Sequence, residues 1–508
     1  MKHYITLVFL IIAPLLNAEN KVDITTCTNT AHNKQPANGL RPFRWFAEGN
    51  ATTSSGRTPF WLANNHLGLS SLSQNNGYLR GGIFREMELG KRFSWGAGAD
   101  LVVPYGFTSH FVVQQLYGEI RYRSLQLTVG SKKRYVGLIN QELSSGDMTF
   151  SLNSRPIPQV FLSMPEYQYI PYTKKLLAVR GYFSIGIQTD GDWQKSHAGE
   201  YGRWSEKVLY NTKGLFVRWG NKEKYPIFIE GALEMGTQFG GDMYRHQNGE
   251  LIKISIPRGF KDIIQSILGL AGGNPDDPNQ WGERANCLGN HLGQWTIAAT
   301  WKDRNNKWKF KAYFQHYFED HSMMFLDYVW KDMLVGLELR LPKNGIVDKF
   351  VYEYLCTKDQ SGPVFWDHTP EIPEQVSGRD NYYNHSIYSG WQHWGMGIGN
   401  PLLISPIYNM NGTMQFYHNR IKGHHFGFSA HVTHELSYKA MLSYTRSWGT
   451  YNHPAPKVMN NINALLEIGY SSTLIKNWDF RLSLGLDGGA LLGQSIGASI
   501  TVRKRGWL

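Results

Sequence analysis

Residues 478–487 read WDFRLSLGLD, and this stretch decides the fold class because two kinds of side chain alternate along it. The apolar members take every second position: Trp478, Phe480, Leu482, Leu484 and Leu486. Successive side chains of a β-strand point to opposite faces, so the pattern indicates a strand with one apolar face. The other face carries Asp479 and Arg481. Because unpaired charges are costly to bury in a dry core, this face is expected to line a polar lumen.

The same alternation recurs along the chain. Residues 436–445 read LSYKAMLSYT and residues 308–315 read WKFKAYFQ, with lysines on the polar face of both. We count about 18 candidate strands of roughly ten residues, the length that a tilted strand needs to cross a bilayer. The predicted strands are 41–52, 79–89, 93–106, 111–122, 125–134, 158–170, 176–189, 207–220, 226–240, 293–302, 308–319, 333–342, 349–360, 420–433, 436–449, 461–473, 478–489 and 495–506. The sequence therefore predicts an all-β fold, a transmembrane antiparallel β-barrel of about 18 strands.

The gaps between the predicted strands alternate in length. The short gaps are 90–92, 123–124, 171–175, 221–225, 303–307, 343–348, 434–435 and 474–477. The long gaps are 53–78, 135–157, 190–206, 241–292, 320–332, 361–419 and 450–460, and two further gaps, 107–110 and 490–494, are short outward hairpins. Short periplasmic turns opposite long outer loops are typical of a bacterial outer-membrane barrel. In a soluble β-sandwich, nothing requires short and long loops to alternate along the chain. We therefore predict a monomeric protein of the cell outer membrane of a Gram-negative bacterium, in contact with outer-membrane lipid and lipopolysaccharide.

The beginning of the chain has the features of an export signal. Lys2 gives a short basic start, residues 4–16 are apolar, and Ala18 offers a small residue at the cleavage site. The apolar run is shorter than the roughly 20 residues of a spanning helix. We predict a signal peptide over residues 1–18 and a single outer-membrane β-barrel domain over residues 19–508.

Charge and cysteine content exclude some classes of function. The 508 residues have a formal net charge of +12, but the basic residues are spread along the chain and no nucleic-acid-binding motif is found. We therefore predict no nucleic-acid partner, since such charges on an exported protein suit lipid phosphates or acidic glycans. The three cysteines cannot all pair, and a single bridge between Cys287 and Cys356 stays open.

Several long motifs in the second half of the chain resemble a known family. They are FEDHS at 318–322, YEY at 352–354, TKDQSGP at 357–363, DNYYNH at 380–385, GWQHWGMG at 390–397 and GNP at 399–401, with FGGDMY at 239–244 and LGNHLG at 288–293 in agreement. These strings resemble the Wzi-type capsule assembly proteins, most closely the branch common in Bacteroidota. The resemblance implies an outer-membrane barrel of about 18 strands that holds capsular or other surface polysaccharide, as a lectin and not as an enzyme.

Sugar binding needs flat apolar faces together with amide, carboxylate and imidazole groups, and the loop 361–419 is rich in both. The predicted glycan-binding residues in this loop are Trp366, Arg379, Asp380, Tyr382, Tyr383, Asn384, His385, Trp391, His393 and Trp394. Alternatively, these side chains pack the loop itself into an inward plug, because so long a loop must bury something to stay ordered. Both interpretations stay open, and both can hold together.

Glu319, Asp320 and His321 at the outer end of a predicted strand are added to the predicted glycan contacts. A metal or acid–base cluster is disfavoured there, because consecutive strand residues point to opposite faces unless the chain turns. A structural hydrogen-bonding role at the rim is the preferred alternative. The adjacent pair His424 and His425 is weak evidence for a metal for the same reason.

Residues 258–270 have helical spacing of apolar residues, which predicts a short amphipathic helix closing the barrel mouth. More generally, short helical segments of the outer loops are expected to plug the mouth. A calcium site at Asp276 and Asp277 lacks the spacing of an EF-hand loop. No catalytic residue and no metal ligand is predicted.

The leading hypothesis is an outer-membrane capsule assembly protein that binds capsular polysaccharide or exopolysaccharide and attaches it to the cell surface through many weak contacts, without a cofactor. The first alternative is an outer-membrane porin or glycan transporter, which would need an open lumen. An outer-membrane hydrolase would need a Ser–His or carboxylate pair that the sequence does not display.

Overall fold

The computed structural model describes residues 43–88, 91–199, 202–247, 249–274, 276–280, 283–284, 287–320, 331–343, 345–360 and 380–508. The predicted signal peptide, residues 1–18, lies outside the described residues. All structural statements below concern the described part of the chain.

Eighteen antiparallel strands form one closed barrel. They are β1 (Arg44–Ser55), β2 (Asn75–Arg85), β3 (Phe93–Tyr105), β4 (Val112–Tyr122), β5 (Leu125–Ser131), β6 (Gln159–Tyr169), β7 (Leu177–Ile187), β9 (Leu209–Trp219), β10 (Ile227–Phe239), β13 (Asn290–Lys302), β14 (Lys309–Glu319), β15 (Met333–Arg340), β16 (Lys349–Cys356), β19 (Ile421–His431), β20 (Leu436–Gly449), β21 (Pro454–Ser471), β22 (Trp478–Gly489) and β23 (Ser495–Trp507). Each predicted strand overlaps one of these, so the predicted fold class is confirmed.

Five short strands and a few helices belong to the outer loops. The strands are β8 (Arg203–Glu206), β11 (Gly241–Gln247) and β12 (Glu250–Ile256), which form one sheet, and β17 (Gln392–His393) and β18 (Met396–Gly397), which form a hairpin. The helices are Phe60–Ala63, Gly191–Ala198 and Phe260–Leu268, with 3-10 turns at Pro278–Gln280 and Pro406–Tyr408. Among the described residues, no helix has the length and apolar character needed to span a bilayer.

The first and last strands close the barrel. β1 pairs with β23 along its whole length, from Arg44 opposite Trp507 to Ser55 opposite Ile496. On the lumen side of this seam, Arg503 Nε lies 2.5 Å from the carboxylate of Glu48. The charged residues of the alternating pattern line the lumen, as the sequence predicts, and Asp479 and Arg481 are paired there with Arg505 and Glu467.

The outer wall of the barrel is apolar and exposed. Leu79, Leu215 and Ile297 have exposed fractions of 71%, 57% and 55%. Exposed aromatic residues lie at the strand ends beside the short turns, among them Trp95, Tyr122, Trp219, Trp301 and Trp308. An apolar wall with an aromatic girdle is suited to lipid and not to water, so the barrel spans a membrane.

One predicted outer loop is shorter than expected. β21 begins at Pro454 and not at residue 461, which reduces the gap before it to residues 450–453. This stretch contains Pro454 and Pro456, and proline cannot donate to a strand ladder. The pairing of β21 with β22 starts only at Asn461, so the first residues of β21 have one unpaired edge, where proline is tolerated.

Three outer segments, 56–74, 132–158 and 380–420, fold into the lumen, and we call them together the plug. The helix Phe60–Ala63 is part of it: the Phe60 N–H donates to Asp487 on β22 at 2.8 Å, and the Trp61 indole donates to Ser443 on β20 at 3.1 Å. Side chains of the plug and of the barrel wall form one large hydrophobic cluster. The part of the lumen that the plug occupies is thus largely filled by packed side chains.

The helix Phe260–Leu268 confirms the helical prediction for 258–270 but corrects its position. It does not close the mouth, because Lys213, on the outward-facing side of β9, donates a hydrogen bond from Nζ to the Ile267 carbonyl. The prediction was wrong on this point because helical spacing fixes the apolar face of a helix but not the body against which it lies.

Candidate functional site

Glu353 on β16 holds the plug to the barrel wall. Its carboxylate accepts hydrogen bonds from Ser144 Oγ at 2.6 Å, from the Ser145 N–H at 2.7 Å and from Ser145 Oγ at 2.6 Å. Tyr313 of the neighbouring wall donates a fourth at 2.6 Å. Because Glu353 is only 1% exposed, these four donors replace the water that the charged group would otherwise need.

Asp147 is a second buried carboxylate of the plug. Gln294 on β13 donates to it at 3.2 Å, and Gln315 on β14 also donates to it. Burial raises the pKa of Asp147 to about 6. Side chains of two different strands therefore bind this one turn of the plug.

Tyr382, Tyr383 and Trp391 are fully enclosed by protein, with exposed fractions of 0%, 2% and 0%. The Trp391 indole donates to the Thr149 carbonyl at 2.9 Å, and the Tyr383 hydroxyl donates to the Met148 carbonyl. These contacts join the segment 380–420 to the segment 132–158. The three side chains pack the plug, as the alternative interpretation of the loop predicts.

Glu319 belongs to the same network. It is 9% exposed and accepts the Tyr383 N–H at 2.7 Å. The next residue, Asp320, has a φ of 50°, so the chain turns there. The Asp320 N–H donates to the His291 carbonyl at 2.9 Å. This arrangement supports the structural hydrogen-bonding role at the rim.

His393 and Trp394 lie at the tip of the β17–β18 hairpin. His393 is buried, and its Nδ1 lies 3.0 Å from the Arg155 carbonyl oxygen. Trp394 is half-buried, and the Arg155 guanidinium lies 4.3 Å from its ring centre. Only Trp394 of this pair offers part of its surface to solvent.

Asp380, Asn384 and His385 are also half-buried. His385 Nε2 lies 3.8 Å from an oxygen of Glu283. Burial lowers the pKa of His385 to about 3 and raises the pKa of Glu283 to about 8, so both groups are neutral at neutral pH and the contact is not an ion pair. The Asn384 amide donates to the Phe416 carbonyl at 3.1 Å.

Of the remaining predicted site residues, Trp366, Arg379 and His321 lie outside the described residues. The structure thus brings Tyr382, Tyr383, Trp391 and Glu319 together as packing of the plug, and it leaves Asp380, Asn384, His385 and Trp394 partly accessible. Glycan binding by any of them stays a prediction.

A second accessible group of aromatic and cationic residues lies at the outer rim: Tyr417, Arg420, Tyr451 and His453. We call it the rim cluster. The Arg420 guanidinium lies 3.7 Å from the Tyr451 ring centre, and the Tyr417 and His453 rings are 5.5 Å apart. His453 is exposed and the other three are half-buried. This group was not predicted from the sequence because its members flank two strands, β19 and β20, whose ends come together only in the folded barrel.

A cavity of about 100 Å³ lies between the plug and the wall formed by β6, β7 and β9. Its lining includes Phe161, Tyr182 and Arg134. The Arg134 guanidinium lies 4.4 Å from the Phe161 ring centre, and burial lowers its pKa to about 10. Within the described residues its two terminal nitrogens have no hydrogen-bond acceptor, so the cavity suits water or a small anionic group.

Asp332, Cys356 and Asp359 place one potential ligand atom each within 4.8 Å of one another. The Asp332 carboxylate already accepts the Asp359 N–H at 3.0 Å and the Tyr382 hydroxyl at 3.2 Å. Burial raises the pKa of Asp332 to about 6. Cys287 and Cys356 are both buried and free, so the bridge left open by the sequence is not formed.

His424 and His425 point to opposite faces, as the strand pattern predicts. His424 Nδ1 lies 3.0 Å from the hydroxyl of Tyr352, whereas His425 Nδ1 lies 2.7 Å from Ser443 Oγ and its Nε2 lies 2.8 Å from the Leu143 carbonyl. His425 is therefore a further tie between the wall and the plug.

Comparison with solved structures shows the fold. The chain is similar to Wzi, an outer membrane protein involved in group 1 capsule assembly in Escherichia coli and described as a carbohydrate-binding β-barrel, with a TM-score of 0.55 and 12% identity over 91% of this chain and 85% of that chain. Two Pseudomonas aeruginosa structures also match. OccK3 (OpdO) has a TM-score of 0.45 and 10% identity, and the match covers 92% of this chain and 96% of that chain. The outer membrane protein OprD has a TM-score of 0.42 and 9% identity, and the match covers 92% of this chain and 93% of that chain.

No family model matches the sequence, and no curated protein matches it. The likeness to Wzi, together with the apolar wall and the closed sheet of eighteen strands, identifies an outer-membrane β-barrel. The chain therefore resides in the outer membrane.

Proposed function

We propose that this protein is a Wzi-type capsule assembly protein of the branch common in Bacteroidota, which binds capsular or other surface polysaccharide and attaches it to the cell as a non-enzymatic, lectin-like barrel. The observation that carries this proposal is the packed plug in the lumen. A barrel that holds a polymer at the surface needs a rigid outer face, whereas a diffusion pore needs an open lumen.

The accessible residues of the outer face have the chemistry that sugars need. The rim cluster offers aromatic faces beside a guanidinium and an imidazole, and the half-buried Trp394, with the Arg155 guanidinium 4.3 Å from its ring centre, offers a second surface of this kind. The buried Tyr382 and Trp391 act indirectly, by keeping these surfaces in place. Contacts of this kind are weak singly, and a repeating polymer makes many of them at once.

The binding test uses the double variant Tyr417→Ala/Tyr451→Ala and the control Tyr172→Ala, a fully exposed tyrosine in a short turn at the opposite end of the barrel. Purified protein is immobilised, and retention of the capsular polysaccharide of the same cells is measured. We expect the rim variant to lose at least about tenfold in retention, equivalent to about 1.4 kcal/mol, and the control to lose nothing. Equal retention by all three proteins would place the binding surface elsewhere.

The cellular test is deletion of the gene followed by staining of the capsule. We expect surface polysaccharide to be released into the medium, because its attachment to the outer membrane is lost. Normal attachment in the deleted strain would make the retention role untenable. Complementation with the Tyr172→Ala variant should restore attachment, since that residue lies in a turn far from the outer face.

A porin or glycan transporter is the second candidate, and one observation favours it. Below the plug, charged lumen side chains meet water: Arg481 has a side-chain exposure of 48% and Arg503 one of 37%. An opening of the plug would therefore expose a polar channel. Steady large conductance of the purified protein in planar bilayers would favour this candidate over the closed lectin.

A further inference from the structure

The helix Phe260–Leu268 presents an apolar face to its surroundings. Phe260, Ile264 and Leu268 follow one another at four-residue spacing, so they lie on one side of the helix. Their exposed fractions are 83%, 42% and 59%. On the opposite side, the small polar residue Ser266 is 0% exposed. This is the reverse of a helix on a water-exposed surface, whose charged face points outward.

The helix lies against the outside of the barrel. Its Ile267 carbonyl accepts a hydrogen bond from Lys213 of β9. Lys213 has the same strand parity as Leu215 and Val217, which point outward and are exposed. Asn211 shares this parity but is 0% exposed, so the outer wall is covered at this end of β9.

The exposed helix face is close to the lipid-facing wall. Lys213 and Leu215 are two residues apart on one strand, a separation of about 7 Å. Leu215, 57% exposed, is a member of the apolar outer wall. The apolar helix face thus continues the established membrane surface at its outer edge. Two exposed cations, Arg258 and Lys261, accompany the helix, and cations at this height suit the phosphates of lipid headgroups.

We propose that the face formed by Phe260, Ile264 and Leu268 inserts into the outer leaflet of the membrane, with lipid acyl chains as its occupant. The outer loop that contains β11, β12 and this helix is then anchored at two places: to the strand β9 and to the lipid. This inference is independent of the proposed function, because it concerns the membrane and not the glycan.

The test places a fluorescent probe on the helix of the full-length barrel. Leu268→Cys is labelled with a nitrobenzoxadiazole group, and the protein is reconstituted into vesicles of phosphatidylethanolamine and phosphatidylglycerol that contain brominated phosphatidylcholine. Bromine quenches only probes that touch acyl chains, so we expect the Leu268 probe to lose most of its fluorescence. The matched control is Asn274→Cys, an exposed polar position in the same loop, which we expect to stay unquenched. Unsubstituted protein treated with the label supplies the blank for native cysteines.

A second variant separates insertion from simple proximity. Phe260→Asp with Ile264→Asp, added to the labelled Leu268→Cys protein, should abolish quenching, while the heat-modifiable migration of the barrel in gels stays unchanged. Quenching that is equal at positions 268 and 274, or that is unaffected by the two aspartates, would overturn the proposal. If the fluorescence of the probe at position 268 changes with the density of protein in the vesicles and not with the content of brominated lipid, the helix face contacts a second copy of the chain. That result would also overturn the proposal.

Discussion

Glu353 shows how one side chain determines the position of a whole outer segment. Four donors converge on its carboxylate, and three of them belong to Ser144 and Ser145 of the plug. Removing the carboxylate leaves these donors buried without an acceptor, which costs about 1–3 kcal/mol for each unsatisfied group. A single residue of the wall therefore has a disproportionate effect on the stability of the plug.

We predict that Glu353→Ala loosens the segment 132–158 without unfolding the barrel. Hydrogen exchange measured by mass spectrometry should show faster exchange in this segment, by more than about tenfold, because a loss above about 1.4 kcal/mol shifts the opening equilibrium by that factor. The matched control is Glu338→Ala, a lumen carboxylate that pairs with Lys309 of the wall at 3.7 Å. If both variants exchange alike, Glu353 is not the anchor.

At the scale of elements, strands and loops differ in how far the sequence predicts them. All eighteen strands follow from alternation, because lipid on one side and a polar lumen on the other impose a period of two on every strand. The first residues of β21, which include Pro454 and Pro456, fall outside the predicted strand, and their unpaired edge is visible only in the folded barrel. The period of the apolar residues and the position of a proline can be read from the sequence itself. An unpaired strand edge, in contrast, is defined only by the neighbouring strands of the folded barrel.

The candidate site was predicted less completely, for a related reason. The aromatic residues of the loop 361–419 indicate that something flat is packed, but an aromatic ring packs equally well against a sugar or against Thr149 and Phe150 of another loop. The contact of Trp391 with the segment 132–158 joins residues more than two hundred positions apart. The rim cluster was missed because its two halves come from different strands.

We predict that Trp391 determines the order of the segment 380–420. Trp391→Ala leaves a void in a filled lumen and should destabilise the plug by about 3–5 kcal/mol. From the other side, Gly236 has no room for a side chain, since an added Cβ would lie 2.5 Å from Trp391 Cη2. Gly236→Val should therefore disturb the same contact by overpacking.

Proteinase K cleavage of protein in vesicles measures this effect. Both variants should be cut faster within residues 380–420 than the unsubstituted protein, with the barrel fragments retained. The matched control is Trp219→Ala, which removes the same side chain from the lipid-facing wall, where it is 59% exposed. Cleavage of Trp391→Ala at the unsubstituted rate would show that the plug does not depend on this residue.

At the scale of the whole molecule, closure of the sheet predicts that one disulfide can join residues from the first and the last strand of the barrel. Ala51 on β1 and Ile500 on β23 are paired in register across the seam. Cysteines at both positions should form a disulfide that links the two ends of the sequence into a ring. The heated, oxidised protein should then migrate faster in gels than the reduced protein, because a ring is more compact than a linear chain.

The control for this experiment is Ala51→Cys with Leu215→Cys. Leu215 also faces outward but lies on β9, which pairs with β7 and β10 and not with β1. No intramolecular bridge is expected there, so oxidation should leave the migration unchanged. A bridge that formed equally in both variants, or in neither, would contradict the closure of the sheet by β1 and β23.

The pairing of β1 with β23 also affects the order of events during synthesis and folding. β1 is among the first parts of the barrel to leave the ribosome, and β23 is the last, yet each is the hydrogen-bonding partner of the other. One edge of β1 therefore lacks its hydrogen-bonding partner during nearly the whole of synthesis and export. An unpaired strand edge is a template for aggregation, so the cell must shield it until the end arrives. The arrival of β23 is thus the event that permits closure of the barrel, and a copy without β23 would leave this edge of β1 unpaired.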